Sequence, residues 1–394
     1  MINIKNKENC TGCYSCENIC PVDAINMEID EEGFWYPKVQ EHRCIDCKLC
    51  EKSCPIINKK TSISLKEAYG CFNKDDYIRL KSSSGGIFTA IAKVILQDNG
   101  AVFGAAFDEN FQVKHICIEN DDDLYKLRGS KYVQSNINTT YKQAKDILLQ
   151  GRKVLFSGTP CQISGLKSFL GKEYDNLLCV DLICHGVPSP LVWKEYLKEI
   201  SNSRKLSLIT FRDKSNGWKN AELVYKFESG SEYREKYSES TYIKGFIQNC
   251  FLRPSCYTCH NKTLDRCSDL TLGDFWGVEE QLPSIDIQEG ISLLLVHSEK
   301  GSSILNKIKN NIFVEKVDIN LALTFNECAI QSVKLTKKRL KFFQYIKKLS
   351  VKESIEGSIK VSKLDYMIKK INFKINRLFY INKKVFNKIG GIKC

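Results

Sequence analysis

The cysteines of the first 54 residues constrain this chain more than any other feature, because eight of them repeat one spacing twice. The first copy reads Cys10-x2-Cys13-x2-Cys16-x3-Cys20-Pro21 and the second Cys44-x2-Cys47-x2-Cys50-x3-Cys54-Pro55, with every cysteine and the proline displaced by 34 positions. A four-iron cube needs four thiolates arriving from different directions. Three come from one short-spaced loop, and the fourth crosses over from the other copy. The spacing therefore assigns Cys10, Cys13, Cys16 and Cys54 to one [4Fe-4S] cluster and Cys44, Cys47, Cys50 and Cys20 to a second. Zinc frameworks use two ligand pairs rather than a triplet and a remote Cys-Pro, so the zinc and disulfide readings are set aside. A segment built this way moves single electrons.

The chain holds 19 cysteines in 394 residues. Met1 to Asn9 is polar, without the apolar core of a secretory signal, and cysteines in this number outside the secretory pathway are metal ligands or thiols rather than bridges. No run approaches 18 apolar residues, so no membrane span is expected. The expected location is cytoplasmic, peripheral at most to the inner membrane face. The net charge of +13 is concentrated at one end. From Ile330 to Cys394 there are 18 Lys+Arg against 3 Asp+Glu, and the remainder carries 41 against 43.

This length and a hydrophobic content of 43% support two to three domains. Residues 1–58 read as an α+β ferredoxin-like domain with two clusters. Ala24 to Ile29 alternates like a strand, Glu31-Glu32-Gly33 is a turn, and Phe34-Trp35-Tyr36-Pro37 lies over the clusters or a neighbouring domain. Asn58 to Ser64 reads as a linker. Residues 65–330 alternate strand and helix, which predicts an α/β catalytic domain. A helical stripe covers Ile87 to Leu96, strands are expected at Ala101–Phe107 and Phe111–Glu119, and a helix at Thr139–Gln150. A buried strand, Lys153 to Phe156, runs into Ser157-Gly158-Thr159-Pro160-Cys161 and a helix from about Gln162 to Leu170. Leu177 to Ile183 is another buried strand, ending at Cys184-His185-Gly186. Leu206–Phe211, Glu222–Glu228 and Glu232–Tyr237 form a small antiparallel set, and Ser292–His297 is one more core strand. Residues 331–394 make a basic, helical tail.

Two loops suit an anionic ligand. Ser82-Ser83-Ser84-Gly85-Gly86 precedes the helix at Ile87, where small residues and free N–H groups can cradle a dinucleotide phosphate such as that of FAD; a serine N-cap with a flexible turn explains it equally well. Arg128-Gly129-Ser130-Lys131-Tyr132 offers two cations, a hydroxyl and a ring for a pyrophosphate or an isoalloxazine, or is an ordinary basic turn. Cys161 and Cys184 follow core strands, on the sheet edge where α/β proteins place sites. Cys256-x2-Cys259 has the spacing of a metal-binding or redox pair, with Cys250 and Cys267 close by as substitutes. Cys117, Cys179 and Cys328 read as buried structural thiols. His185 and His260 sit beside these cysteines, as tuning groups or as structural histidines. Nothing suggests hydrolysis.

The ordered motifs Ser84-Gly85-Gly86, Gly129-Ser130-Lys131-Tyr132, Gly158-Thr159-Pro160-Cys161-Gln162 and Cys184-His185-Gly186-Val187-Pro188-Ser189-Pro190 are followed by Phe211-Arg212, Gly217-Trp218, Arg253-Pro254-Ser255-Cys256-Tyr257-x-Cys259 and Gly273-Asp274-Phe275-Trp276-Gly277. Over residues 1–330 the chain resembles the beta subunits of coenzyme F420 hydrogenase/dehydrogenase with a dicluster ferredoxin fused in front. The resemblance implies FAD or a related flavin, a third [4Fe-4S] cluster and electron exchange with a deazaflavin. It places Ser84, Gly85, Gly86, Ser130, Lys131 and Tyr132 in the flavin pocket, and gives the third cluster to Cys161, Cys184, Cys256 and Cys259. The implied function is an iron–sulfur flavoprotein oxidoreductase acting on an organic substrate or a deazaflavin or nicotinamide coenzyme. The competing class is a non-catalytic electron-transfer subunit feeding a partner enzyme, and bound flavin separates the two.

In the tail, Lys341-Phe342-Phe343-Gln344-Tyr345-Ile346-Lys347-Lys348 and Met367-Ile368-Lys369-Lys370-Ile371 interleave lysines with apolar residues. Such helices suit an anionic membrane surface, an acidic redox partner such as a soluble ferredoxin, or packing on the body. No nucleic-acid reading motif is present.

Overall fold

The computed structural model describes residues 1–59 and 62–360. In the N-terminal segment, β1 (Ile25–Ile29) pairs antiparallel with β2 (Trp35–Val39), Ile25 opposite Val39. Gly33, at φ +86°, closes the turn between them. The sequence repeat is also a backbone repeat. Gly12 and Tyr14 in the first copy, and Asp46 and Lys48 at the same places in the second, all have left-handed φ, from +47° to +65°. Each pair of left-handed residues bends a cysteine triplet into a cup. A short helix follows each cup, Ser15–Ile19 and Leu49–Lys52.

The body is built on an eight-stranded mixed sheet. Its members are β3 (Glu67–Asn73), β4 (Ala101–Phe107), β5 (Val113–Ile118), β6 (Val154–Ser157), β7 (Leu177–Leu182) and three later strands. A separate antiparallel sheet comprises β8 (Leu206–Asp213), β9 (Glu222–Phe227) and β10 (Glu232–Lys236). The large sheet is completed by β11 (Leu270–Asp274), β12 (Ser292–Val296) and β13 (Ile312–Lys316). Its order is β13-β3-β12-β11-β7-β6-β4-β5. The four strands β11, β7, β6 and β4 are parallel, so their carboxyl ends share one edge and deliver Asp274, the Cys184 loop and the Cys161 loop there. Helix Ile87–Gln97 buries Ile87, Ile91 and Ile95 in the apolar core on this sheet.

The small sheet packs its aromatic face on helices Pro190–Ser201 and Thr241–Ile247, with Trp193, Tyr196, Phe211, Tyr225, Tyr242 and Phe251 in one core. A register shift in β8 between Thr210 and Asp213 makes a bulge that turns two consecutive residues, Phe211 and Arg212, inward.

The alternation of strand and helix predicted for this region is present, with small boundary shifts. The helix expected from Gln162 starts at Pro160, because Thr159 and Gln162 form a capping box and proline occupies the first turn. The expected linker is partly anchored: Ile63 N–H donates to the Arg266 carbonyl at 2.6 Å, and the return bond is 3.0 Å. In the tail, helices Lys337–Tyr345 and Val351–Ile359 pack onto the body through Phe342, Val351 and Ile355. Arg339 on the first helix forms a two-toothed ion pair with Glu32 of the ferredoxin turn. The expected amphipathic run at Met367 to Ile371 lies outside the described residues. Among the described residues, no helix is long and apolar enough to cross a membrane.

Candidate redox centres and ligand pocket

Two cavities of the N-terminal segment are each lined by four cysteines. One holds Cys10, Cys13, Cys16 and Cys54; the other holds Cys20, Cys44, Cys47 and Cys50. These are the two quartets that the crossover rule picks out, and no disulfide joins any described cysteine. Among the described residues no three His, Cys, Asp or Glu side chains converge on a single ion. The thiols instead surround a space, as a cube with one ligand per iron requires. Sulfur acceptors are served by N–H donors: Ile2 to Cys50 at 3.4 Å and Ala24 to Cys20 at 3.2 Å. Burial pushes the Cys13 thiol up to about 12, so it keeps its proton until a metal displaces it.

The equivalent cysteines of the two repeats face opposite ways. Cys13 lies against helix Pro160–Leu170, where a Cβ on Gly165 would stand 2.7 Å from the Cys13 Cβ. Its repeat mate Cys47 is exposed, rimmed by Ile45 (61% exposed) and Leu49 (37%). One quartet is thus inner and the other outer. The Phe34–Pro37 run serves both places expected for it: Pro37 lines the inner quartet's cavity, and Tyr36 stacks under Arg253 of the body at 4.3 Å.

A third quartet stands at the strand ends of the body. Cys161 is in electrostatic contact with Cys184, Cys256 and Cys259, and Cys256 with Cys184 and Cys259. Burial pushes Cys256 up to about 12 and Cys184 up to about 11. Val187 N–H donates to Cys256 Sγ at 3.4 Å, and Thr159 Oγ1 lies 3.2 Å from Cys161 Sγ. Lys262 donates to the carbonyls of Cys184 and Cys328, bringing a cation to the group. Cys250, a suggested substitute, is buried in the aromatic core, and Cys267 sits near Ser164. Cys328, read from sequence as structural, is 3.5 Å from His185 Nδ1 and in electrostatic contact with Cys184. His185 Nε2 lies 2.8 Å from Asn249 Oδ1, while His260 is exposed.

From this quartet an aromatic path leads to the proposed ligand loops. The His185 ring meets Phe246 at 4.9 Å, and Phe246 meets Tyr132 at 5.1 Å. The two loops are joined, since Ser130 N–H donates to Ser83 Oγ at 2.7 Å. The N-cap is Gly86, at φ +80° and with no side-chain cap, so the serine-cap reading gives way and the first turn keeps N–H groups for an acceptor. Ser84 donates to the Ile291 carbonyl at 2.8 Å, and Gly85 N–H to Ser292 Oγ at 2.9 Å. Gly85 is there for packing: a Cβ would stand 2.5 Å from the Cys71 carbonyl oxygen. Lys131 turns its ammonium onto the carbonyls of Leu127, Arg128 and Gly129, and burial lowers it to about 7.

A buried cation at this edge, Arg212, is placed by the β8 bulge. Arg212 bridges Asp274 at 3.0 Å and the Tyr132 hydroxyl at 3.3 Å. Trp218 stacks on Trp276 at 4.6 Å and 7°. Arg212 Nε and Trp218 Nε1 are buried donors without an acceptor among the described residues, which fits a ligand bearing carbonyl or phosphate oxygens.

Three family models match the chain. Residues 9–57 match the family described as a 4Fe-4S dicluster domain. Residues 68–142 and 151–322 match the N-terminal and C-terminal parts of the coenzyme F420 hydrogenase/dehydrogenase beta subunit. A coenzyme F420-dependent sulfite reductase of Methanocaldococcus jannaschii is 25% identical over 78% of this chain and 48% of its own length. One of the subunits of the F(420)H(2) dehydrogenase of Methanosarcina mazei is 21% identical over 48% of this chain and 58% of its own. The chain spans about half the length of these relatives. A chain of the F420-reducing [NiFe] hydrogenase complex from Methanosarcina barkeri aligns over 68% of this chain and 90% of its own, at 18% identity and a TM-score of 0.46.

Proposed function

We propose, for a chain that belongs to the coenzyme F420 hydrogenase/dehydrogenase beta subunit family and carries a 4Fe-4S dicluster domain in front of it, an iron–sulfur flavoprotein oxidoreductase that acts on an organic substrate or a deazaflavin or nicotinamide coenzyme. The observation that supports this reading most is a succession of contacts that runs from an exposed cysteine to the proposed ligand loops. Cys47 faces water, and Cys13 abuts the helix that starts beside Cys161. His185, next to Cys184, then leads through Phe246 to Tyr132. Gly165 is four residues beyond Cys161, about 6 Å along a helix.

When bound, FAD supplies two-electron hydride exchange and the clusters supply one-electron transfer. The chain's residues do the rest. Cys10, Cys13, Cys16 and Cys54, then Cys20, Cys44, Cys47 and Cys50, then Cys161, Cys184, Cys256 and Cys259 hold the three clusters. The Ser84–Gly86 and Ser130–Tyr132 loops, with the Arg212 and Trp218 donors, hold FAD. The packed rings of Tyr132, Tyr237 and Phe246 exclude water from that edge. The apolar rim at Ile45 and Leu49 receives a redox partner protein or soluble ferredoxin.

Anaerobic purification with iron analysis and chromatography of the acid-released chromophore tests this reading. It expects about twelve irons and one FAD per chain. Flavin absent from protein that holds its iron would leave the partner-feeding subunit as the reading to pursue.

A further inference from the structure

Arg253 is fully buried and belongs by sequence to the Cys256 loop, yet its side chain reaches into the ferredoxin segment. Its Nε donates to the Cys10 carbonyl at 2.8 Å, Nη2 to the Trp35 carbonyl at 2.9 Å, and Nη1 to Gln134 Oε1 at 3.2 Å. Nη2 also lies 3.6 Å from Cys10 Sγ. The guanidinium stacks over Tyr36, and a Cβ on Gly12 would stand 2.8 Å from its Nη1. Among the described residues no carboxylate pairs with it; every partner is a neutral oxygen, a ring or the Cys10 sulfur.

A buried cation without a counter-ion favours whatever adds negative charge beside it, and reduction of a cluster adds one. Among the described residues the outer quartet's sulfurs accept from neutral backbone N–H groups, those of Ile2 and Ala24, which are weaker than a charged donor. The cations that line its cavity, Lys48 and the Met1 amino group, are both exposed, the latter paired with Glu51 at 2.9 Å, and exposed charges are screened.

We propose that Arg253 is a positioning residue that fixes where the electron rests within the ferredoxin domain: its charge, delivered at Cys10, holds the electron on the inner quartet rather than the outer one. The proposal rests on the cluster assignment above. The transfer is of one electron from outer to inner quartet, with no proton or bond change, and the resting place lies next to the body.

The test uses full-length protein with its iron–sulfur content verified, titrated with dithionite and followed by electron paramagnetic resonance. In wild type the first signal to appear belongs to the inner quartet, identified because Gly165→Ala, the smallest change at the Cys13 contact, perturbs its line shape and leaves the other signal unchanged. In Arg253→Gln the equilibrium between the two singly reduced forms moves at least tenfold toward the outer quartet, about 59 mV for one electron. Arg253→Lys, which keeps the charge and loses the fork, restores most of the wild-type distribution. If Arg253→Gln loses iron, Gln134→Glu decides the matter: it sets a carboxylate against Nη1, keeps the arginine, and gives the same shift. Unchanged distributions in loaded Arg253→Gln or Gln134→Glu protein, or equal behaviour of Arg253→Gln and Arg253→Lys, would overturn the proposal. Wild-type protein unable to hold two four-iron clusters in its ferredoxin domain would instead overturn the cluster assignment.

Discussion

Gly165 lies so close to Cys13 that a Cβ on the glycine would stand 2.7 Å from the cysteine's Cβ and 3.0 Å from its sulfur. The contact joins the ferredoxin segment to the helix that begins beside Cys161, and only hydrogen fits there. Gly165→Ala gains ~1 kcal/mol of helix propensity and loses ~1–3 kcal/mol by overpacking. The expected net effect is a lower melting temperature together with slower electron flow from the ferredoxin clusters into the body, read by stopped-flow absorbance. Unchanged transfer in a destabilised variant would show that the contact serves packing alone.

Cys256 stands among three other thiols at the strand ends. Cys256→Ala is expected to lower iron by about four atoms per chain, to leave the two ferredoxin clusters intact, and to uncouple flavin reduction from them. Iron analysis and anaerobic photoreduction read both effects. Full iron with normal coupling would remove Cys256 from the ligand set.

Glu32 and Arg339 form a mostly buried pair with only 16% and 9% of their side chains exposed. Removing one partner strands the other, so Arg339→Met or Glu32→Gln each costs ~3 kcal/mol. The double variant is less harmed than the sum, with a coupling of ~1–3 kcal/mol. Chemical denaturation of the four proteins measures the coupling; additive losses would mean that the pair contributes little.

His115 is held neutral. Burial lowers it to about 4, with Nε2 2.9 Å from the Ser157 carbonyl and Nδ1 2.9 Å from Ser135 Oγ. Its folded-state pKa is depressed below the ordinary 6.5. The stability it supports is therefore full above that value and lost as pH falls toward 4. Between about pH 6.5 and 5 the wild type should lose up to ~1.4 kcal/mol per pH unit more than His115→Gln. Parallel profiles for the two proteins in denaturant titrations would show that His115 protonates freely.

The cysteine quartets of the ferredoxin segment were legible because ligand spacing is local: a triplet and a remote Cys-Pro leave few arrangements. The strands were legible for the same reason, since Val154 to Phe156 and Leu177 to Val180 are continuous apolar runs. The left-handed backbone at Tyr14 and Lys48 was hidden, because neither residue type advertises it. The contacts of Arg253 and Cys328 were hidden too, for their partners lie 243 and 143 positions away. Arg212 was visible only as part of a motif, and its inward turn needs a bulge that no periodicity announces. Cys250 looked like a spare ligand by nearness in sequence, whereas the packing of Phe246, Phe251 and Tyr242 takes it into the core.

The Glu32–Arg339 clamp spans 307 positions, and that has a bearing on the order of assembly. At ~5–20 residues per second of synthesis, the ferredoxin turn waits roughly 15 to 60 s for the helix that fastens it. In that interval the turn is complete in sequence and lacks its clamp, while the helix that carries Gly165 and the loop that carries Arg253 are made first. The order of synthesis therefore puts the ferredoxin cysteines first, the residues that cover the inner quartet next, and the helix that fastens the turn last.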